Sequence, residues 1–378
     1  MNKRILILNT EVSGMNKYLF AELNKHGWEL NIANVPFPKR LRYYAAIKGF
    51  RFLKREWRKQ FYSHLGRLYK SSWCFQWRSQ WCENQVINNI GKFDVILNIS
   101  GMHSPFVDYN SRNNLRYAVL CSYTMALSKK WNEWLPYPRE YDGWISLEEK
   151  LYSNATIILT TNDNVRHSLN KDYGVPLSKT AKIGYGLTLD TIPEYEKVYD
   201  GKTILYVGFD FKRKGGLDIL EAFKIVRRSI VGAKLIIIGP SKNLYSINQE
   251  GVEFLGLIKD RNLVREYYRQ ASVFVMPSLC EPFGLTFLEA MAHKLPCIGS
   301  TIDAMPEIIT DGETGYLIPP NSPYTLAEKL ISILRDENML RIMGQNAYLD
   351  SKARFSWSVV GENIDKELSR IICTSKGT

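Results

Sequence analysis

Between Ala271 and Lys294 the chain changes period once, and that change limits the folds open to it. Ala271-Ser272-Val273-Phe274-Val275-Met276 is a short apolar run with β-branched and aromatic residues. Its length and content suit a strand buried on both faces. Ser278-Leu279-Cys280-Glu281-Pro282-Phe283-Gly284 follows as a loop, and good helix formers then predict a helix over 286–294. Glu281 therefore lies in a strand-to-helix loop, and Glu289 lies about one and a half turns into the helix. The amides of Phe283, Gly284 and Leu285 fall at the helix N-terminus, where unpaired N–H groups and the helix dipole favour an anion such as a diphosphate. Gly284, without a Cβ, lets the backbone approach that ligand closely.

Strand and helix alternate through the rest of the chain, which predicts parallel α/β units. Strands are expected at Arg4–Leu8, Glu29–Val35, Phe93–Ile99, Arg116–Leu120 and Thr156–Thr160. A second series starts at Thr203–Gly208 and continues through Ala233–Gly239, Val252–Leu255, 271–276 and Cys297–Gly299. At 378 residues the chain is too long for one ordinary core. The expected organisation is therefore α/β, with two doubly wound Rossmann-like domains facing a cleft. An N-terminal domain covers 1–186 with an insertion at 36–85, and a linker covers 187–201. A C-terminal domain covers 202–354, and a helix over 355–378 returns to the first domain.

A second anion site is written into Val207-Gly208-Phe209-Asp210-Phe211-Lys212-Arg213-Lys214-Gly215-Gly216. A strand ends in glycine, three consecutive cations follow, and glycines open a helix. Cations beside a helix N-terminus attract phosphate, and two such loops on one sheet suit a diphosphate.

The Glu281–Glu289 pair, eight positions apart with Pro-Phe-Gly between, resembles the acid–seven–acid signature of retaining, nucleotide-sugar-dependent glycosyltransferases of family 4. The resemblance covers essentially the whole chain and is strongest from Val207 to Pro320. It implies the two-domain GT-B architecture and metal-independent transfer from a UDP- or GDP-sugar. It also implies that Glu281 contacts hydroxyls of the donor sugar and Glu289 binds the ribose hydroxyls. Lys214 matches the lysine that neutralises the leaving diphosphate. The family's arginine position is occupied by Phe209, which leaves that role to Arg213 or Lys212. Gly239, Leu257 and Ile258 would wall the nucleotide base, with backbone groups reading its edge. Gly14 stands where the family has a glycine-rich loop beside the donor phosphates and acceptor. His103 and Ser122-Tyr123-Thr124 follow buried strands and would line the cleft from the first domain. His26, His64, His167 and His293 read as helix surface residues.

The net charge of +12 is concentrated: between Pro36 and Gln85, twelve Lys or Arg face two acids. Tyr43, Ile47, Phe50, Leu53, Trp57, Phe61, Leu65 and Leu68 recur at helical spacing there, with cations on other faces. Such a helix is expected to lie in an anionic membrane interface through 36–70, beside a glycan or lipid-linked acceptor. No signal peptide or membrane span is read, and six scattered cysteines suit a reducing compartment. A cytoplasmic protein at the inner face of the cell membrane is expected. The chain carries no Asp-x-Asp after a strand for a divalent metal, no Gly-x-Gly-x-x-Gly for a dinucleotide and no recognisable nucleic-acid motif. Two rival functions are a binder of nucleotide sugars or polyanions without turnover, and a glycoside hydrolase using both glutamates.

Overall fold

The computed structural model describes residues 3–10, 14–38, 68–108, 115–131, 141–240 and 249–373. Of the membrane-helix expectation at 36–70, residues 39–67 lie outside the described residues. The chain divides into two units, Met1–Tyr185 with Val360–Thr378, and Gly186–Val359. Among the described residues no helix is long and apolar enough to cross a membrane.

The first unit holds β1 (Lys3–Asn9), α1 (Asn16–Lys25), β2 (Trp28–Asn34), α2 (Ser72–Asn88), β3 (Val95–Ile99) and β4 (Tyr117–Cys121). It continues with α3 (Met125–Lys130), α4 (Tyr141–Asn154), β5 (Ile157–Thr160), α5 (Asp163–Tyr173) and β6 (Thr180–Lys182). Its sheet is wholly parallel in the order β2-β1-β3-β4-β5-β6. β3, β4 and β5 are buried at every position, as expected of strands covered by helices on both faces. Side chains that accept amide hydrogen bonds start α3 (Thr124) and α5 (Asn162), satisfying donors that a helix cannot pair internally.

Two elements of this unit differ from expectation. Part of the basic insertion is core: α2 buries Phe75, Cys82 and Val86, and Phe75 meets Trp144 of α4 edge to face at 5.4 Å. The unexpected α4 buries Trp144, Glu148, Leu151 and Tyr152. Gly143 and the buried Glu148 hide its helical pattern. The two helices come close at this glycine: a Cβ there would stand 3.0 Å from Ser72 Oγ on α2.

The second unit holds β7 (Thr203–Val207), α6 (Gly216–Ser229), β8 (Lys234–Ile238), β9 (Val252–Gly256), α7 (Arg261–Gln270), β10 (Val273–Met276) and α8 (Leu285–Ala292). It closes with β11 (Cys297–Ser300), α9 (Met305–Ile308), β12 (Gly315–Ile318), α10 (Pro323–Arg335) and α11 (Glu337–Phe355). The parallel sheet runs β12-β11-β10-β7-β8-β9. Successive strands therefore step one way from β7 to β9 and the other way from β10 to β12. The change of direction falls between β7 and β10, and ligands of open α/β sheets bind beyond the carboxyl ends of strands at such a point.

The segment expected as a linker, 187–201, instead packs into the second unit. Leu187, Leu189, Lys197 and Tyr199 are buried. Lys197 Nζ donates to the carbonyls of Tyr268 (2.8 Å) and Arg269 (2.6 Å) at the end of α7, where a helix presents unpaired acceptors. Tyr199 donates to the Lys294 carbonyl at 2.6 Å. Hydrogen bonds to backbone hold this irregular stretch without any sequence period. The last helix, α12 (Trp357–Cys373), begins in the second unit and belongs to the first from Val360 onward. There its Asp365 accepts from Lys3 at 2.8 Å and from Trp28 Nε1 at 2.7 Å.

Candidate active site

The loop after β7 and the loop after β10 meet at the point where the second sheet reverses direction. Leu279 N–H donates to the Arg213 carbonyl at 2.7 Å, and Arg213 Nη1 donates to the Cys280 carbonyl at 2.6 Å. Gly215, with φ of 72°, is where the loops touch: a Cβ there would stand 1.9 Å from the Pro277 carbonyl oxygen. Gly208 gives way to the Lys214 stem, which would lie 2.6 Å from a Cβ. These contacts bring Lys214 Nζ to 3.3 Å from Glu281 Oε2, with Arg213 Nη1 at 3.9 Å from the same oxygen.

Glu281 is 7% exposed, and a carboxylate this buried requires such neighbours. Its other oxygen accepts the Gly284 N–H at 3.0 Å, and its own N–H donates to Asp303 Oδ2 at 2.9 Å. The Gly284 amide, expected at an anion site, here donates to the Glu281 carboxylate. Gly284 itself adopts φ of 69°. Phe283 is buried, and Leu285 opens α8. Arg213 both clasps the β10 loop and shares the charge of Glu281 and Asp210. The latter lies 3.1 Å from Nε. Phe209, in the expected arginine position, is 75% exposed.

Glu289 projects from α8 into a separate cage. Thr188 Oγ1 donates to Oε1 at 2.7 Å, Arg261 Nη2 approaches the same oxygen at 3.2 Å, and Tyr268 donates to Oε2 at 3.3 Å. The Tyr268 ring stacks on His293, with 5.4 Å between centroids and 10° between planes. His293 is thus buried rather than a surface residue, and burial pulls its pKa down to about 4, which keeps the ring neutral. Nearby, β7, β8 and β9 all run into glycines. Gly208 N–H donates to the Ile238 carbonyl at 2.9 Å and Gly239 N–H to the Gly256 carbonyl at 2.8 Å. A Cβ on Gly239 would stand 2.4 Å from the Gly208 oxygen. Beyond this seam Leu257 is exposed and Ile258 half-buried.

Gly14 and His103 belong to the first unit. Gly14 is exposed in the turn before α1, with φ of 71°. His103 is fully buried rather than presented at a surface. Its Nε2 lies 3.4 Å from Thr10 Oγ1, and burial, with help from Arg78, depresses its pKa to about 3.

The second unit therefore assembles Glu281, Lys214 and Arg213 in one cluster and isolates Glu289 as an acceptor. Asp303, Thr188, Arg261 and Tyr268 complete these groups and were not read from the sequence. They come from distant loops and helices and share no spacing with the residues they hold. The two glutamates have different partners, and Glu289 has both oxygens engaged. That is not the free acid and base pair of a hydrolase.

Residues 190–350 match the family model described as glycosyl transferases group 1. The capsular polysaccharide biosynthesis glycosyltransferase CapM of Staphylococcus aureus is 26% identical over 242 residues, 59% of this chain and 64% of that protein. The phosphatidyl-myo-inositol mannosyltransferase of Mycobacterium leprae is 30% identical over 198 residues, 50% of this chain and 52% of that protein. The match thus spans between half and two thirds of these curated relatives. The sucrose-phosphate synthase structure from Thermosynechococcus elongatus superposes with a TM-score of 0.69 at 18% identity, covering 99% of this chain and all of that one. At this identity the likeness is one of fold, the GT-B fold.

Proposed function

We propose that this chain, whose residues 190–350 belong to the glycosyl transferases of group 1, moves a sugar from a nucleoside-diphosphate sugar to an acceptor hydroxyl with retention of configuration. The observation that carries this reading is the Lys214–Glu281 pair at 3.3 Å, with Arg213 beside it, where β7 and β10 diverge. A cation pair fixed before the reaction stabilises the charge that develops on a departing diphosphate, and such preorganised fields usually supply the largest catalytic effect. The bond from the anomeric carbon to the phosphate oxygen breaks, and the acceptor oxygen attacks from the same side. The acceptor proton passes to the departing phosphate oxygen. In this reading no divalent metal takes part, because Lys214 and Arg213 neutralise the diphosphate. Glu281 holds the sugar's hydroxyls and Glu289 the ribose.

The names of the relatives support surface polysaccharide or glycolipid assembly as the setting. The basic segment at 36–70 would then bind an anionic membrane surface, with about 1 kcal/mol from each cation close to it. Flotation with phosphatidylglycerol vesicles should carry the protein upward at low salt, and a protein left in the soluble fraction would refute the membrane part.

Activity is tested by incubating the chain with UDP-, GDP- and ADP-sugars and following free nucleoside diphosphate with and without added glycan acceptors. Acceptor-dependent release that disappears in Glu281→Ala is expected. Hydrolysis of nitrophenyl glycosides without any use of nucleotide sugars would overturn the proposal.

A further inference from the structure

The loop that carries Glu281 is pinned from both of its neighbours. From the β7 side, Arg213 holds it through the Leu279 N–H and the Cys280 carbonyl. From the β11 side, Ser300 Oγ donates to the Ser278 carbonyl, and Asp303 Oδ2 accepts the Glu281 N–H at 2.9 Å. Ser278, Leu279, Cys280 and Glu281 thus each make a backbone bond to an adjacent loop. The last of these bonds sets where the Glu281 side chain starts.

Asp303 makes that bond from a strained backbone. Its φ is 47°, in the left-handed region that glycine enters freely and L residues disfavour. Aspartate is among the side chains that tolerate this region best, yet glycine would hold the same conformation without strain. A non-glycine residue kept in such a conformation beside a charged cluster points to a use for its side chain. The turn itself closes through backbone bonds, Met305 N–H to the Ile302 carbonyl and Glu307 N–H to the Ala304 carbonyl, both at 3.0 Å. Ala304 and Met305 are buried behind it. A Cβ on Gly284 would stand 2.7 Å from Met305 Cε, so the same turn also backs the far end of the Glu281 loop.

We propose that Asp303 is the positioning residue for Glu281. Its carboxylate fixes the Glu281 backbone, and with it the direction in which that side chain leaves towards Lys214. The role of Glu281 at the donor sugar rests on the transfer reading above; the geometry of the pinned loop does not. A shift of a small fraction of a nanometre in a group that acts on a reacting sugar costs far more rate than binding. The nucleoside diphosphate is held by other groups, so its affinity should be spared.

Steady-state kinetics on Asp303→Ala, Asp303→Gly and Asp303→Asn, with calorimetric titration of UDP and GDP, test this. The alanine and glycine variants should each lower kcat about tenfold, the scale of one hydrogen bond to a charged acceptor. Diphosphate affinity should change by less than about twofold. Asp303→Asn keeps an acceptor oxygen and tolerates the left-handed turn, so its kcat should stay within about threefold of wild type. Glycine supports the same backbone without strain, so Asp303→Gly keeps the test open if Asp303→Ala does not fold. In a Glu281→Gln background, Asp303→Gly should lower kcat by less than about twofold further, because it acts through that residue. Normal kcat in Asp303→Gly, no rescue by Asp303→Asn, or full additivity with Glu281→Gln overturns the proposal. If wild type releases no nucleoside diphosphate from any nucleotide sugar, the transferase reading fails instead. Hydrogen exchange then decides the positioning role: the Glu281 amide should exchange about tenfold faster in Asp303→Gly than in wild type, and equal rates overturn it.

Discussion

Lys214 Nζ lies 3.3 Å from Glu281 Oε2, and the two residues reach that distance from loops on adjacent strands. The lysine offsets a buried carboxylate, and in the proposed reading the carboxylate holds the lysine where charge develops. Glu281→Ala should therefore lower kcat by about a hundredfold while changing nucleoside diphosphate affinity by less than about threefold, as expected for a group that acts on the reacting sugar. Steady-state kinetics with calorimetric titration of the diphosphate check this. Near-normal turnover would remove Glu281 from the reaction.

Glu289 should behave differently, because in the proposed reading it holds the ribose and its cage serves binding. Thr188→Val and Tyr268→Phe each remove one hydrogen bond of about 0.5–1.5 kcal/mol. Each should raise the donor KM by about two- to tenfold with kcat nearly unchanged. A fall in kcat at constant KM would place Glu289 at the chemical step instead.

Two glycines with the same backbone conformation should differ in tolerance. Among the described residues, Gly14 (φ 71°) has nothing within 4 Å of an added Cβ, whereas Gly215 (φ 72°) would place one 1.9 Å from a carbonyl oxygen. Gly14→Ala should cost about 1–2 kcal/mol from the left-handed conformation alone. Gly215→Ala adds an overlap with backbone that cannot move aside, and should cost about 3 kcal/mol or more. Urea unfolding of both variants gives the comparison, and equal losses would contradict the loop contact.

His103 should make the protein acid-sensitive. Its folded pKa of about 3 lies below the ordinary 6.5, so its contribution is present above pH 6.5 and is lost as pH falls towards 3. His293, at about 4, acts in the same direction. Glu148, raised to about 7 from 4.5, acts oppositely and favours folding less as pH rises through that window. The comparison must therefore be with His103→Gln at each pH. Relative to that variant, wild type should lose roughly 1.4 kcal/mol per pH unit between about pH 6 and 4. Parallel curves would mean that the imidazole titrates normally.

The sequence by itself determined the two α/β units, the strand ends that carry glycine, and the loop from Ser278 to Gly284. Each is a local matter: an apolar run of strand length, a glycine before a helix, a cation beside a helix start. Lys214 and Glu281 were legible for that reason. Tertiary structure alone decided who stands beside them. Asp303 reaches the Glu281 amide, and Thr188 and Tyr268 reach Glu289, across 22, 101 and 21 positions of chain. Strand order, not spacing, sets such distances. The same reason explains the errors. Residues 187–201 look like a linker because hydrogen bonds to carbonyls leave no period. His293 looks exposed because only packing against Tyr268 buries it. Glu148 was not anticipated because a carboxyl inside an apolar helix face is tolerated only once Met125, Tyr152 and Tyr173 have been folded around it.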